Sequence, residues 1–175
     1  MEEVAGSIPV GSTNFLKILF EMTNPPRHRQ TPTFVLFFLS GFCGLLYQIV
    51  WIRLAFSHFG VITPVLSVVI SVFMLGLAVG SWAAGRWIES WKTALGLSAI
   101  YFYAAAEFIV GLGAFLVPVI YAWGDGRLLP VSTMNSLAYL AGSALVMTIG
   151  LLPWCLAMGM TFPFMMSFWK EQDGD

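Results

Sequence analysis

Between Arg127 and Lys170 the chain carries no aspartate, glutamate, lysine or arginine. Three shorter uncharged stretches precede this one, over residues 34–52, 61–85 and 93–124, the last interrupted only by Glu107. Charge bounds each of them: Arg27 and Arg29 before the first, Arg53 after it, Arg86, Glu89 and Lys92 between the second and third, and Asp125 and Arg127 after the third. A hydrocarbon layer about 30 Å thick takes roughly 20 helical residues to cross, so each of the first three stretches fits one transmembrane helix. Charged residues make up 10% of the 175, where a soluble domain carries about a quarter. The chain therefore lacks the polar groups to cover a surface in water, and its solvent is a lipid bilayer. Eight basic residues against nine acidic ones leave no basic stripe, which excludes nucleic acid as a partner.

The fourth stretch is too long for one simple crossing, about 63 Å as a single helix. Two full crossings need about 40 residues and a turn, and no polar turn cluster interrupts it. Leu128, Leu129 and Pro130 then form a lead-in, and a long helix starts near Ser132, kinked or broken around Gly150 and Pro153. A break at Pro153 that creates a fifth, short or re-entrant segment is the alternative. The expected architecture is all-α, an integral membrane bundle of about four helices with no soluble catalytic domain. Its parts are a polar tail over 1–32, spans at about 33–54, 61–85, 93–123 and 132–168, and a short tail over 170–175. Pro64 falls in the first turn of the second span, where a missing N–H costs little.

With four spans, Lys17, Arg27, Arg29, Arg86, Lys92 and Lys170 share one side, and only Arg53 and Arg127 lie on the other. The excess of basic residues in short loops marks the cytoplasmic side, which places both termini there, in a plasma or inner membrane. Trp87, Trp91, Trp123 and Trp169 fall near predicted span ends, where tryptophan anchors at the interface. The tail holds one short apolar stretch, residues 15–22, of one or two helical turns. A cleavable signal peptide is not expected, because Glu2 and Glu3 open the chain and the first long apolar run starts after residue 33.

Close packing in lipid depends on small residues that let backbones approach. Gly76, Gly80 and Ala84 recur at helical spacing in the second span, and Gly41, Gly44 and Gln48 form a similar face in the first. Gly111 lies one turn beyond Glu107 in the third. Helix packing is the first reading of these glycines, and a ligand groove against them is the other. Glu107 is the sharpest single feature, because a carboxylate inside a span costs about 2.5 kcal/mol or more and marks a functional site by default. It shares a stripe with Tyr103, Gly111, Ala114 and Pro118. Three readings stand: a neutral carboxyl hydrogen-bonded to Gln48 or Tyr47, an ion pair with Arg53, or a proton- or cation-coupling site. His58 reads as a solvated loop residue. Cys43 and Cys155 sit in apolar runs as small hydrophobes. No metal-ligand spacing, cofactor-binding motif, phosphate loop or nucleophile motif is present.

Four segments, in order, carry a resemblance. They are residues 38–54, with Tyr47, Gln48, Trp51 and Arg53; residues 73–86, with Gly76, Gly80 and Arg86; residues 107–112, with Glu107 and Gly111; and residues 151–163, with Pro153, Gly159 and Pro163. Together they resemble the membrane part of spermidine synthase-like proteins of the fused major facilitator and spermidine synthase type. The resemblance implies an aminopropyltransferase-like Rossmann domain as partner, as a domain or a subunit, for decarboxylated S-adenosylmethionine and polyamine chemistry. Residues 1–175 contain no Gly-rich turn following a strand, so no catalytic residue carries over. The expected role is to anchor or assemble that absent domain, and the chain alone is not expected to be an enzyme. The alternative is a transporter fragment, similar to the major facilitators, that moves a small polar or cationic solute. The loop from Gly85 to Lys92 faintly resembles the one after their second helix. A second copy of the chain is a further partner class.

Overall fold

The computed structural model describes residues 27–132 and 136–173, with side chains over 34–128 and 136–172. The expected short helix over 15–22 and most of the amino-terminal tail lie outside the described residues. Four α-helices follow one another: α1 (Arg27–Phe59), α2 (Thr63–Leu95), α3 (Ala99–Ser132) and α4 (Ser136–Asp173). There is no strand among the described residues. All four helices are long and apolar enough to cross a membrane. The chain divides into two compact units, Met1–Leu39 and Ser40–Asp175; the described part of the first is the opening stretch of α1 as far as Leu39, and all packing below concerns the second.

Two glycines make the tight corners. Gly60, at φ 92°, follows α1, and Gly96, at φ 63°, ends α2. Both angles lie in the left-handed region that side chains disfavour. The Gly96 amide donates to the Lys92 carbonyl at 2.8 Å and closes the last turn of α2. Ile62 stands at the start of α2, where its carbonyl accepts from the Val65 amide at 3.1 Å, and Pro64 occupies the first turn, as the missing N–H allows.

The helices alternate in direction. At one end α2 finishes where α3 begins and α4 finishes, tied by Lys92, Ser98 and Glu171. At the other, His58 near the end of α1 meets Asp125 near the end of α3. α4 is the common partner, packed closely along both α2 and α3. Its glycines explain why. A methyl group at Gly76 would collide with Cys155, one at Gly80 with the Leu156 carbonyl, and one at Gly159 with the Leu77 carbonyl. The α2 and α4 backbones thus touch. Along the second interface Gly113 lies under Trp154, Gly124 under Val146, and Gly150 under Tyr121.

The long uncharged stretch after Arg127 resolves in an unexpected way. α3 continues to Ser132, so residues 128–130 belong to its last turns instead of leading into the fourth helix. α4 then runs unbroken through Pro153 and Pro163. The fifth segment is therefore overturned: Pro153 does not end the helix. A proline inside a membrane helix withdraws one N–H from the ladder, and neighbouring helices make that tolerable. Here Pro153 lies between Gly150 and Gly159, the two places where α4 is held by Tyr121 and by the α2 backbone.

Helices of 33 to 38 residues are about 50 to 57 Å long, well beyond the hydrocarbon layer, so their ends tilt or project. The outward residues suit that setting. Phe115 is 77% exposed, and Leu75, Trp82, Phe108 and Ile149 are also exposed, a surface only lipid would favour.

Candidate functional site

Glu107 is half-buried on α3, in the third turn. The Ser40 hydroxyl on α1 donates a hydrogen bond to its Oε1. Tyr103, one turn earlier and buried, brings its hydroxyl to both Ser40 and Glu107. Two helices therefore answer the carboxyl with hydroxyls, which offsets part of the cost of removing it from water.

Around this pair lies a cavity of about 160 Å³. Its walls include Cys43, Gly44 and Tyr47 from α1, Gly111 from α3, and Met158 and Thr161 from α4. Glycine keeps it open from two sides. A methyl group at Gly111 would meet nothing within 4 Å, whereas one at Gly44 would come to 3.1 Å from the Met158 sulfur. The Thr161 hydroxyl donates to the Met158 carbonyl at 2.7 Å and still has lone pairs to offer. A second cavity, of about 270 Å³, shares Cys43 and Tyr47 and continues along the α1/α3 seam past Ala114 to Pro118.

The structure brings Tyr47, Gly44 and Gly111 to Glu107 and leaves Gln48 and Arg53 elsewhere. Gln48 is half-buried and does not line either cavity; Arg53 is exposed. Among the described residues no ion pair joins Glu107 to Arg53. The hydrogen bond to Glu107 comes from Ser40, not from Gln48 or Tyr47. Gly41 is exposed with open space beside it. The reason is a rotation of α1. Ser40, Gly44, Tyr47, Trp51 and Ala55 share its inward face, and Trp51 and Ala55 are fully buried. Gly41 and Gln48 lie one residue round the helix, about 100° away.

Two polar groupings close the ends of the helices. His58, in the last turn of α1, places Nδ1 3.6 Å from Asp125 Oδ2, so it is not a solvated loop residue. At the opposite end Lys92 donates to Glu171 at 2.7 Å and to Glu89 at 3.1 Å. Ser167 bridges to Glu89 at 3.2 Å. Glu171 in turn accepts from the Ser98 hydroxyl at 2.6 Å and the Ala99 amide at 3.3 Å, which caps the start of α3. Trp91 packs beside this group against Phe102 and Phe164, with ring centroids 6.3 Å apart in each case. Arg127 sits 5.1 Å over the Trp123 ring.

The grouping around Lys92 was open to sequence reasoning, since Glu89 and Lys92 are three residues apart on a helix. Its link to Glu171 was not. No group of three or more His, Cys, Asp or Glu converges among the described residues; Cys43 is exposed and Cys155 buried, both as free thiols. No family model, no curated protein and no solved structure matches the chain.

Proposed function

We propose that the chain is the membrane-embedded assembly module of a spermidine synthase-like protein, whose helices hold an aminopropyltransferase-like domain, outside residues 1–175, against the membrane. One observation carries this reading. The four segments that bear the resemblance meet one another at helix contacts. Gly44 of the first lies against Met158 of the last, and Gly76 and Gly80 of the second lie against Cys155 and Leu156 of the last. Glu107 of the third accepts from Ser40 of the first. The similarity thus falls in part on residues that assemble helices, which is what an anchoring module requires. In this reading both termini lie on the cytoplasmic side of a plasma or inner membrane, where the excess of basic residues would place them.

The test is isolation of the tagged chain from its own membranes under mild solubilisation, followed by mass spectrometry and an aminopropyl-transfer assay with putrescine. The expected result is a Gly-rich Rossmann domain, either continuous with this polypeptide or recovered with it, together with transfer activity. Recovery of the chain with neither would overturn the reading. Topology is checked separately by reporter fusions after Gly60, Trp91, Gly126 and Asp175, of which the second and fourth are expected on the cytoplasmic side.

A further inference from the structure

The groove between α1 and α3 has a polar inner end and apolar outer walls. Glu107, Ser40, Tyr47 and Thr161 stand at the inner end. The outer part is walled by Leu46, Val50, Leu54, Ala114 and Pro118. Leu46 and Val50 are exposed, so this part opens sideways, toward the lipid. Its two adjoining cavities, of about 160 and 270 Å³, approach the size of pockets that hold small ligands, roughly 300 to 1,000 Å³.

The chemistry of the two ends selects the occupant. A purely apolar guest, such as a lipid acyl chain, would fill the outer part and bring no donor to the acceptor sites that Ser40 leaves open on Glu107. A phospholipid headgroup brings an anionic phosphate, and neither cavity has a lysine or arginine in its lining to answer it. What satisfies both ends is a molecule that carries its own cation into the groove on a single apolar tail. A primary ammonium brings three donors. Ser40 engages one Glu107 oxygen, and a carboxylate with about four lone-pair sites retains acceptors for the ammonium, beside the Tyr47 and Thr161 hydroxyls. The tail would then lie along the distance from Glu107 to Pro118, about 16 Å of helix.

We infer that the α1/α3 groove is a lateral binding site for lipophilic amines, with the ammonium head at Glu107 and the tail against Ala114 and Pro118. This site does not depend on the anchoring role proposed above.

The experiment uses the full chain in zwitterionic phospholipid nanodiscs and a photoreactive octylamine carrying a diazirine. Crosslinks are expected to map to residues 43–54 and 107–118. Octylamine should compete, whereas ethylamine, which has the head without the tail, and octanol, which has the tail without the head, should not. Glu107→Gln is expected to lower labelling about tenfold or more. Ala114→Leu should lower it too, by filling the outer cavity while leaving the carboxylate in place. Labelling unchanged in Glu107→Gln, or octanol competing as well as octylamine, overturns the site. Where Glu107→Gln fails to accumulate in membranes, Ala114→Leu and the competitor pair decide: undiminished labelling in Ala114→Leu also overturns it.

Discussion

The α2/α4 and α1/α3 contacts solve the same problem by opposite means. Where α2 crosses α4, Gly76, Gly80 and Gly159 let one backbone lie on the other, with no room for a further methyl group. Where α1 faces α3, the helices stand apart and meet through side chains: Ser40 with Glu107, Phe59 with Tyr121 at 5.4 Å between ring centroids, and His58 with Asp125. Lipid supplies little drive for helices to associate, so stability comes from close van der Waals packing and from interhelical hydrogen bonds. The first contact relies on packing and is filled. The second relies on polar pairs and leaves two cavities. A bundle can therefore keep one seam for holding itself together and another for holding something else.

The sharpest way to break this contrast is Gly80→Val. The added side chain would enter the space of the Leu156 carbonyl, and backbone cannot step aside as a flexible side chain can. A loss of about 3 kcal/mol or more is expected, measured by unfolding in mixed micelles; a loss below about 1 kcal/mol would show that the seam is not tight. Lys92→Met should have the next largest effect. It leaves Glu89 and Glu171 near each other at the end of the same seam, with the lysine side chain only 18% exposed. About 1 to 2 kcal/mol is expected, partly recovered by raising salt. No dependence on salt would mean that Lys92 acts through its alkyl stem.

On the looser side, Ser40→Ala removes a donor to Glu107 and should cost about 1 kcal/mol in the same unfolding measurement, with the bundle otherwise intact. A cost equal to that of Gly80→Val would erase the distinction between the seams. Gly41→Ala is the control. Nothing lies within 4 Å of the new methyl group, and alanine favours a helix over glycine, so the change should be within about 0.5 kcal/mol and in the stabilising direction. A clear loss would place a neighbour on that face.

The crossings themselves were legible in the sequence because charge is excluded from the hydrocarbon layer, and the gaps around Arg53, Arg86 and Lys92 mark where the chain leaves it. The inward faces were harder. A helix in water shows its buried side by contrast with a polar one, but α1 is apolar nearly all round, so Gly41 and Gln48 looked as suitable for packing as Ser40 and Tyr47. Only the burial of Trp51 and Ala55 fixes the rotation. α2 was easier, since Gly76, Gly80 and Ala84 recur together and all three are buried. The end of α3 was obscured for a different reason: the charges of Asp125 and Arg127, and then Pro130, look like a boundary although all three fall inside the helix. Glu107 stood out as the one charge inside a gap, but its partners on another helix are not encoded by any spacing near it.

The cap on α3 has a consequence for the order of assembly. The Ala99 amide and the Ser98 hydroxyl take their acceptor from Glu171, more than seventy positions later in the chain. During synthesis the α2/α3 corner therefore waits, with its first donors answered only by water, until the final turns of α4 emerge and fold back to it. A group near the end of α4 thus completes the start of α3, and the corner between α2 and α3 is finished only once α4 is in place.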